Sequence, residues 1–221
     1  TGLHTGARLG EVLALRWKDI NFERLEITFR NNLVRIHGRF ELTSPKNKEV
    51  RTIDISSDLA EVLRERYDEQ VKNFTRMGVE VTKDTPVFTN PFRDWVNPTS
   101  MGDRFGKTVK EVMEETPELD WDKGITFHTL RHTHASLLIG QVGAGVNTIQ
   151  LVSKRLGHKN VDITIKVYSH LLKDNASLLS GRFQGIMDDI LGPTLGPKVL
   201  TSNGIQSTDG YVARHESSRY D

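Results

Sequence analysis

The chain has 221 residues, a length that can bury a hydrophobic core in one or two domains. No apolar run reaches the roughly 18 residues of a membrane-spanning helix, and the absence of cysteine excludes disulfides and thiolate metal sites. The net charge of +1 argues weakly against a protein that is basic throughout, yet residues 125–171 hold five Lys and Arg residues against one Asp. This local excess favours a phosphate-bearing partner, although a solvated basic face explains it equally well.

The first third of the chain is predicted to form a helix followed by short strands. Apolar residues at helical spacing predict a helix over residues 7–17, which places Arg8 in its first turn. Four β-type runs follow, at residues 26–29, 33–36, 40–42 and 50–55. We expect them to form one small antiparallel sheet. The turn-forming stretch Ser44-Pro45-Lys46-Asn47-Lys48 lies between the last two runs and predicts a hairpin with a basic tip.

Two longer helices are predicted in the middle of the chain. Asp58 and Glu61 resemble a capping box, and the apolar stripe that follows them reaches about Phe74. A second helix begins where Asn97 can act as the N-cap and Pro98 as the first helical residue. Its apolar face continues to about Met113.

A polar helix face is predicted between about His128 and Ile139. His128, Arg131 and His132 stand at i, i+3 and i+4, so the three side chains share one face. The leucines of this helix are expected to point toward a core on a different face: Leu130, Leu137 and Leu138.

Further helices follow toward the C-terminus. One is predicted over residues 147–157, where Gly157 ends it, and the next over residues 161–171, with Tyr168 in its C-terminal half. An amphipathic helix over residues 175–191 and a flexible tail over residues 192–221 complete the chain. The predicted fold class is α+β, mainly α-helical, with a small antiparallel sheet and a basic hairpin beside a helical core.

Several short motifs occur in an order that carries a family resemblance. They are Thr5-Gly6-Ala7-Arg8-Leu9-Gly10-Glu11, His128-Thr129-Leu130-Arg131-His132, Leu156-Gly157-His158 and Tyr168-Ser169-His170-Leu171. With these motifs the chain, from about residue 1 to residue 171, resembles the catalytic domain of the tyrosine recombinases. It most resembles the integrases of prophages and conjugative elements of Gram-positive bacteria.

The resemblance implies a metal-free active site that breaks and rejoins DNA. Arg8 and Arg131 would clamp the scissile phosphate, because each guanidinium offers a planar fork of donors to two oxygens. Tyr168 would attack the phosphorus and form a 3′-phosphotyrosyl link. His128 would handle the proton of this nucleophile, and His158 would hydrogen-bond the phosphate.

The resemblance also implies supporting roles for other polar residues. Lys46 would act as the general acid for the leaving 5′-oxygen, and Lys48, two residues away, is the alternative. Glu11 and His132 would support the catalytic residues. The basic residues expected to contact the DNA backbone are Lys48, Lys154, Arg155 and Lys159. No metal site and no other cofactor are expected.

The domain order and partners follow from the same resemblance. Residues 1–174 would form the catalytic domain, residues 175–191 a helix that docks in cis or on a neighbouring protomer, and residues 192–221 a tail. We expect DNA-binding domains to precede Thr1 in the complete protein. The expected partners are double-stranded DNA attachment sites, further copies of the recombinase in a tetramer, and accessory DNA-bending proteins. The expected location is the bacterial cytoplasm.

Two other functions stay open. A type IB topoisomerase shares the reaction and much of the residue set, and relaxation of DNA without strand exchange would distinguish it. A DNA-binding module without chemistry would account for residues 147–171 as helix, turn and helix. That module would leave Arg8, Lys46 and His128 unexplained.

Overall fold

A computed structural model of the chain describes residues 1–45, 50–122, 124–142, 146–162 and 164–165. Within these ranges, no helix is long and apolar enough to cross a membrane. The predictions for Lys46, Lys48 and Tyr168, and those for residues 175–191 and 192–221, lie outside the described residues.

The N-terminal helix is shorter than predicted. Helix α1 spans Gly2–Thr5, helix α2 spans Leu9–Leu13, and a 3-10 turn follows at Trp17–Asp19. The predicted helix over 7–17 cannot continue past α2, because the backbone of residues 15–18 hydrogen-bonds that of residues 83–87. Arg8 is the N-cap of α2, in an extended conformation, so its predicted place in the first turn is wrong.

The predicted strands form two sheets instead of one. β1 (Ile20–Asn21), β2 (Glu26–Phe29) and β5 (Arg51–Asp54) form an antiparallel sheet in the order β1-β2-β5, while β3 (Asn32–Ile36) pairs only with β4 (Arg39–Thr43) among the strands of the described residues.

Among the described residues, β4 and β5 belong to different sheets and do not pair, which differs from the predicted hairpin. The tip of that predicted hairpin, at residues 46–48, lies outside the described residues. The basic hairpin of the described residues is β3–β4. Its tip is His37-Gly38, where both residues have positive φ, and it is flanked by Arg35 and Arg39. This pair of φ values is typical of a tight two-residue hairpin turn.

The four longer helices agree with the predicted ones within a few residues. α3 spans Ser57–Thr75, α4 Pro98–Glu115, α5 Phe127–Val142 and α6 Val146–Leu156. Asn97 caps α4 by accepting a hydrogen bond from the Thr99 N–H at 3.1 Å. The predicted capping role of Asp58 is wrong, since the Ser56 hydroxyl caps α3 by accepting from the Leu59 N–H at 3.3 Å.

Three buried clusters hold these elements together, and one of them, formed by Leu13, Ala14 and Leu33, packs against Met101 of α4. The largest one packs the β1-β2-β5 sheet against α3 and includes Ile27, Phe29 and Leu63. The remaining one joins α5 to α6 through Ala135, Ile139, Val152 and Leu156. Burial of such side chains contributes about 1.5–3 kcal/mol each.

The inward face of α5 differs from the predicted one. Arg131, Ala135 and Ile139 are buried at i, i+4 and i+8, whereas Leu137 is 55% exposed. The prediction that Leu137 points toward the core is therefore wrong. The face that carries Arg131 is itself the core face, and it brings this arginine between α1 and α6.

Candidate active site

Arg8 is held at the start of α2 by a buried carboxylate. Glu11, which is 1% exposed, accepts a hydrogen bond from the Arg8 backbone N–H at 2.9 Å and another from Arg8 Nη1 at 3.0 Å. The side chain of Arg8 keeps 25% of its surface exposed. Its guanidinium is therefore fixed on one side and accessible to a ligand on the other.

A second arginine, Arg51, completes this cluster and was missed by sequence reasoning. Its Nη1 and Nη2 donate to the two carboxylate oxygens of Glu11 at 3.0 and 2.7 Å. Its Nε donates to the Arg155 carbonyl at 3.0 Å, and its guanidinium lies 4.7 Å from the ring centroid of Phe29. Nothing local marks an arginine at the start of a strand as the partner of a helical glutamate.

The two arginines determine the charge of Glu11. Burial acts to raise the pKa of this carboxyl, but the hydrogen bonds and positive charge of Arg51, together with those of Arg8, outweigh it and lower the pKa. Glu11 is therefore ionised at neutral pH.

Arg131 is held in a different way, by backbone carbonyls. It is 2% exposed, and its Nη1 and Nη2 donate to the carbonyls of Gly6 and Leu156, each at 2.7 Å. Gly6 follows the end of α1, and Leu156 is the last residue of α6. Carbonyls at helix ends lack an intrahelical partner, so the guanidinium satisfies both and joins the two helices.

Gly157 forms the turn that positions His158. The His158 N–H donates to Ser153 O and the Gly157 N–H to Lys154 O, both at 3.0 Å, which forms a Schellman motif at the end of α6. Gly157 has a φ of +69°, and a Cβ there would lie 3.2 Å from Arg51 Cδ. Glycine therefore meets both the backbone and the space requirement of this turn.

His158 is fixed in orientation and is neutral. Its Nδ1 lies 2.7 Å from the Oγ1 of Thr164, which is fully buried. Burial, followed by the charges of Arg131 and Arg8, lowers the pKa of His158 to about 4. His158 lines the same cavity as Arg8.

His128 and His132 lie together on the exposed side of α5. Their rings meet edge to face with centroids 4.8 Å apart, as expected for residues at i and i+4. Partial burial, followed by the proximity of His132, Arg131 and Arg8, lowers the pKa of His128. His128 is thus a neutral base at physiological pH.

Arg155 was predicted to contact DNA, but in the structure it donates hydrogen bonds to protein acceptors. Its Nε donates to Nε2 of the buried His134 at 3.1 Å, and its Nη2 donates to the carbonyls of His4 and Asp54 at 3.3 and 3.0 Å. Burial and the charge of Arg155 lower the pKa of His134 to about 4. A contact with DNA would have to use Nη1 of Arg155.

A cavity of about 610 Å³ lies between β5 and α6. Arg8, Glu11, Arg51, Lys154 and His158 are among the residues that line it. Lys154 and Lys159, both predicted to contact DNA, are exposed. Among the residues for which coordinates are described, no three His or carboxylate groups are arranged to hold a metal ion.

Comparison with known proteins identifies the family. The sequence profile of the phage integrase family matches residues 2–175. The ICEBs1 integrase of Bacillus subtilis is 32% identical over 188 residues, which cover 85% of this chain and 46% of that protein. The integrase of Staphylococcus phage L54a is 32% identical over 177 residues, 76% of this chain and 45% of that protein. The chain spans about half the length of the curated relatives it matches.

Solved structures confirm the predicted fold class. The Tn1549 transposon integrase in complex with circular intermediate DNA matches with a TM-score of 0.66 and 25% identity, over 82% of this chain and 57% of that one. The XerA recombinase matches in fold with a TM-score of 0.54 and 20% identity, over 80% of this chain and 55% of that one. Family profile, relatives and fold agree, and the chain belongs to the phage integrase family.

Proposed function

We propose that the chain is the catalytic part of a tyrosine site-specific recombinase, an integrase that inserts or excises a mobile element. One observation carries this proposal. Arg8 and His158 line the same cavity, and Arg131 donates to the Leu156 carbonyl at the turn that carries His158. Burial, followed by nearby positive charge that includes both arginines, lowers the pKa of His128 and of His158. Two cations and two neutral imidazoles around one site match the needs of a phosphodiester transesterification without a metal.

The reaction would exchange one phosphodiester for another. The Tyr168 oxygen attacks the phosphorus, the bond to the 5′-oxygen breaks, and the DNA is left with a 3′-phosphotyrosyl link and a 5′-hydroxyl. A 5′-hydroxyl of the partner strand then reverses the step and releases Tyr168. The guanidinium groups of Arg8 and Arg131 stabilise the negative charge that grows on the phosphoryl oxygens.

Two proton transfers accompany each step. A tyrosine phenol in water has a pKa of about 10, so the proton of the nucleophile must pass to a base, and neutral His128 is suited to accept it. Lys46 would protonate the leaving 5′-oxygen, with Lys48 as the alternative donor. Both transfers run backward when the strand is rejoined, so no proton is consumed overall.

His158 would donate a hydrogen bond to the phosphate. If the Thr164 hydroxyl donates to Nδ1 of His158, the ring proton resides on Nε2 and is directed to the ligand. Burial of Thr164 favours a fixed tautomer, because its hydroxyl has a defined partner. Glu11 and His132 would act through Arg8 and His128 respectively.

The partners are part of the same proposal. The matched Tn1549 integrase was solved with circular intermediate DNA, which supports double-stranded DNA as the substrate. Lys48, Lys154 and Lys159 would contact its backbone, and Arg155 would do so only through Nη1. Both curated relatives are integrases, which favours strand exchange over the relaxation reaction of a type IB topoisomerase.

The domain order and the assembly on DNA belong to the same proposal. We propose that residues 1–174 form the catalytic domain, that residues 175–191 dock in cis or on a neighbouring protomer, and that residues 192–221 form a tail. Recombination would require a tetramer on two attachment sites, aided by accessory DNA-bending proteins. Removal of residues 175–221 should weaken synapsis or alter solitary cleavage, and unchanged recombination would contradict the docking role.

A nicked suicide substrate tests the reaction. A nicked DNA that bears the attachment site is incubated with the chain, and covalent complexes are resolved by SDS gel electrophoresis. We expect an SDS-resistant adduct with the wild type and its loss in Tyr168→Phe. Tyr67→Phe is the matched control, since Tyr67 packs against Trp17 with ring centroids 5.0 Å apart in the main core.

The outcome that contradicts the mechanism is an adduct that persists in Tyr168→Phe. Absence of an adduct with the wild-type chain is checked again with a protein of the relatives' full length, because the chain spans about half of that length. Absence there also contradicts the mechanism.

A further inference from the structure

We propose that Arg51 is a positioning residue of the active site, which neutralises Glu11 and so keeps the charge of Arg8 available to a phosphate. This inference rests on the proposed function, because it assigns Arg51 a part in the same site. It extends that function by explaining how the buried carboxylate of Glu11 can hold Arg8 without cancelling the positive charge of Arg8.

The hydrogen bonds of Glu11 show how the carboxylate is shared. A carboxylate offers about four lone-pair sites. Glu11 accepts four hydrogen bonds, from the Arg8 N–H, from Arg8 Nη1, and from Nη1 and Nη2 of Arg51. Arg51 forms the two-pronged pair, whereas the guanidinium of Arg8 contributes one nitrogen.

The charges of the cluster explain why this division matters. Two guanidinium groups and one carboxylate leave one net positive charge. Without Arg51, Arg8 would be the only remaining partner among these three for a carboxylate that is 1% exposed. A buried carboxylate strongly favours a close cation, so Glu11 would draw Arg8 into the two-pronged pair. Arg8 would then lose both its orientation and its net charge toward the phosphate.

Arg51 itself is committed to protein contacts. Its side chain is 10% exposed. Both Nη atoms bind Glu11, Nε binds the Arg155 carbonyl, and Phe29 lies 4.7 Å from the guanidinium carbon. These contacts distinguish it from Arg8, whose side chain is 25% exposed. Because Arg51 donates to both oxygens of Glu11, we assign it a role that acts through Arg8.

The same side chain joins the two sides of the site. The carbonyl that Nε contacts belongs to Arg155, two residues before Gly157, and a Cβ on Gly157 would meet Arg51 itself. Arg51 thus sets the distance between the start of α2 and the turn that carries His158. It also begins β5, directly after the segment that holds Lys46 and Lys48.

Two measurements test the role of Arg51 in four variants. The variants are Arg51→Met, Arg51→Lys, the double variant Arg51→Met with Glu11→Gln, and Arg66→Met as the control. Arg66 forms an ion pair with Glu69 at 3.2 Å on α3 and does not line the cavity. The first measurement is a titration of the chain with inorganic phosphate, followed through the His158 ring signal by NMR. The second is the rate of adduct formation on the suicide substrate, beside the affinity for uncleaved DNA.

We expect Arg51→Met to slow adduct formation by about 100-fold and to weaken phosphate binding by about tenfold. Affinity for uncleaved DNA should change by less than about threefold, because many backbone contacts contribute to it. The double variant should recover at least about tenfold of the lost rate, since the neutral amide that replaces the Glu11 carboxylate no longer competes for the charge of Arg8. Arg51→Lys should lie between wild type and Arg51→Met, and Arg66→Met should match the wild type.

A purely structural role for Arg51 predicts that the rate of adduct formation follows only the folded fraction measured by urea unfolding, because Arg51→Met leaves a buried carboxylate short of a partner and Glu11→Gln removes that penalty. The proposed role predicts recovery of the rate in the double variant at equal folded fraction as well. A double variant that is no faster than Arg51→Met therefore overturns the inference, as does wild-type behaviour of Arg51→Met. If Arg51→Met does not fold by circular dichroism, Arg51→Lys and the double variant are each compared with the wild type, and both should form the adduct more slowly than the wild type does. Failure of the wild type to form any adduct would refute the proposed function, while the phosphate titration would still test Arg51.

Discussion

The two arginines of the site are held by opposite means. Arg131 is buried and donates to two neutral backbone carbonyls, whereas Arg8 is partly exposed and donates to an ionised carboxylate. Neutral acceptors orient a cation without reducing its formal charge. A carboxylate would reduce it, and Arg51 compensates for that reduction. The protein thus orients one arginine with neutral acceptors and balances the anion that orients the other.

Because of this difference, Arg131 contributes to both the stability of the fold and the site, whereas Arg8 contributes mainly to the site. The contacts of Arg131 connect α1, α5 and α6, so this residue contributes to the fold and to the site. Arg8 contacts its own helix, and its loss leaves the buried Glu11 with Arg51 as a partner. The two sides should therefore respond differently to substitution and to acid.

The largest expected effect comes from Arg131→Ala. The carbonyls of Gly6 and Leu156 would lose buried donors, and each unsatisfied buried group costs about 1–3 kcal/mol. We expect the free energy of unfolding in urea to fall by about 3–5 kcal/mol. Arg8→Ala should lower it by only about 1 kcal/mol. Equal losses of unfolding free energy in the two variants would contradict the difference between Arg131 and Arg8.

The second-largest effect is expected in the dependence of the unfolding free energy on acid pH. His134 accepts a hydrogen bond from Arg155, and its pKa in the folded state is about 4. The ordinary value is about 6.5, so between these limits the unfolded chain binds more protons and stability falls as the pH falls. We expect a loss of about 2 kcal/mol between pH 7 and pH 5 from this group alone.

The control for this titration is His134→Gln, in which the side-chain carbonyl can still accept from Arg155 but does not titrate. Its unfolding free energy should change less than that of the wild type over the same range. Glu11 has a lowered pKa, so its contribution is present above its ordinary value and is lost only as the pH falls further. An identical pH dependence in His134→Gln and wild type would contradict the assignment.

A smaller effect is expected from Gly157→Ala. The positive φ disfavours an L-residue by about 1–2 kcal/mol, and the new Cβ would lie 3.2 Å from Arg51 Cδ. We expect thermal unfolding to shift accordingly and adduct formation to slow, because His158 and Arg51 both move. Gly78→Ala is the matched control: its φ is +67°, and no atom lies within 4 Å of a Cβ built there. If both variants slow the reaction equally, contact with Arg51 is not the cause.

Local rules predicted the parts of the site that depend on local geometry. The shared face of His128 and His132 follows from their spacing of four, and the end of α6 from the preference of glycine for positive φ. The start of α4 was predictable because its N-cap chemistry is encoded in two neighbouring residues, Asn97 and Pro98.

Long-range contacts account for what local rules missed. α2 stops early because residues 15–18 bind the backbone of residues 83–87, which no helical periodicity reveals. β5 pairs with β2 instead of β4, which separates the expected sheet into two. Arg51 meets Glu11 across 40 residues of sequence, and Leu137 is exposed because the inward face of α5 is set by α1 and α6.

The separation of these partners along the chain has a kinetic consequence. The bonds from Arg51 to the Arg155 carbonyl, from Arg131 to Gly6 and from Arg155 to His4 span 104, 125 and 151 residues. Contacts between distant segments form late in folding, because closing long loops is entropically unfavourable. A nascent or partly unfolded chain would therefore not yet hold Arg131 in place, nor the Arg51 that balances Glu11. Under the proposed function, strand breakage is confined to the completed fold, which protects the DNA that the chain meets earlier.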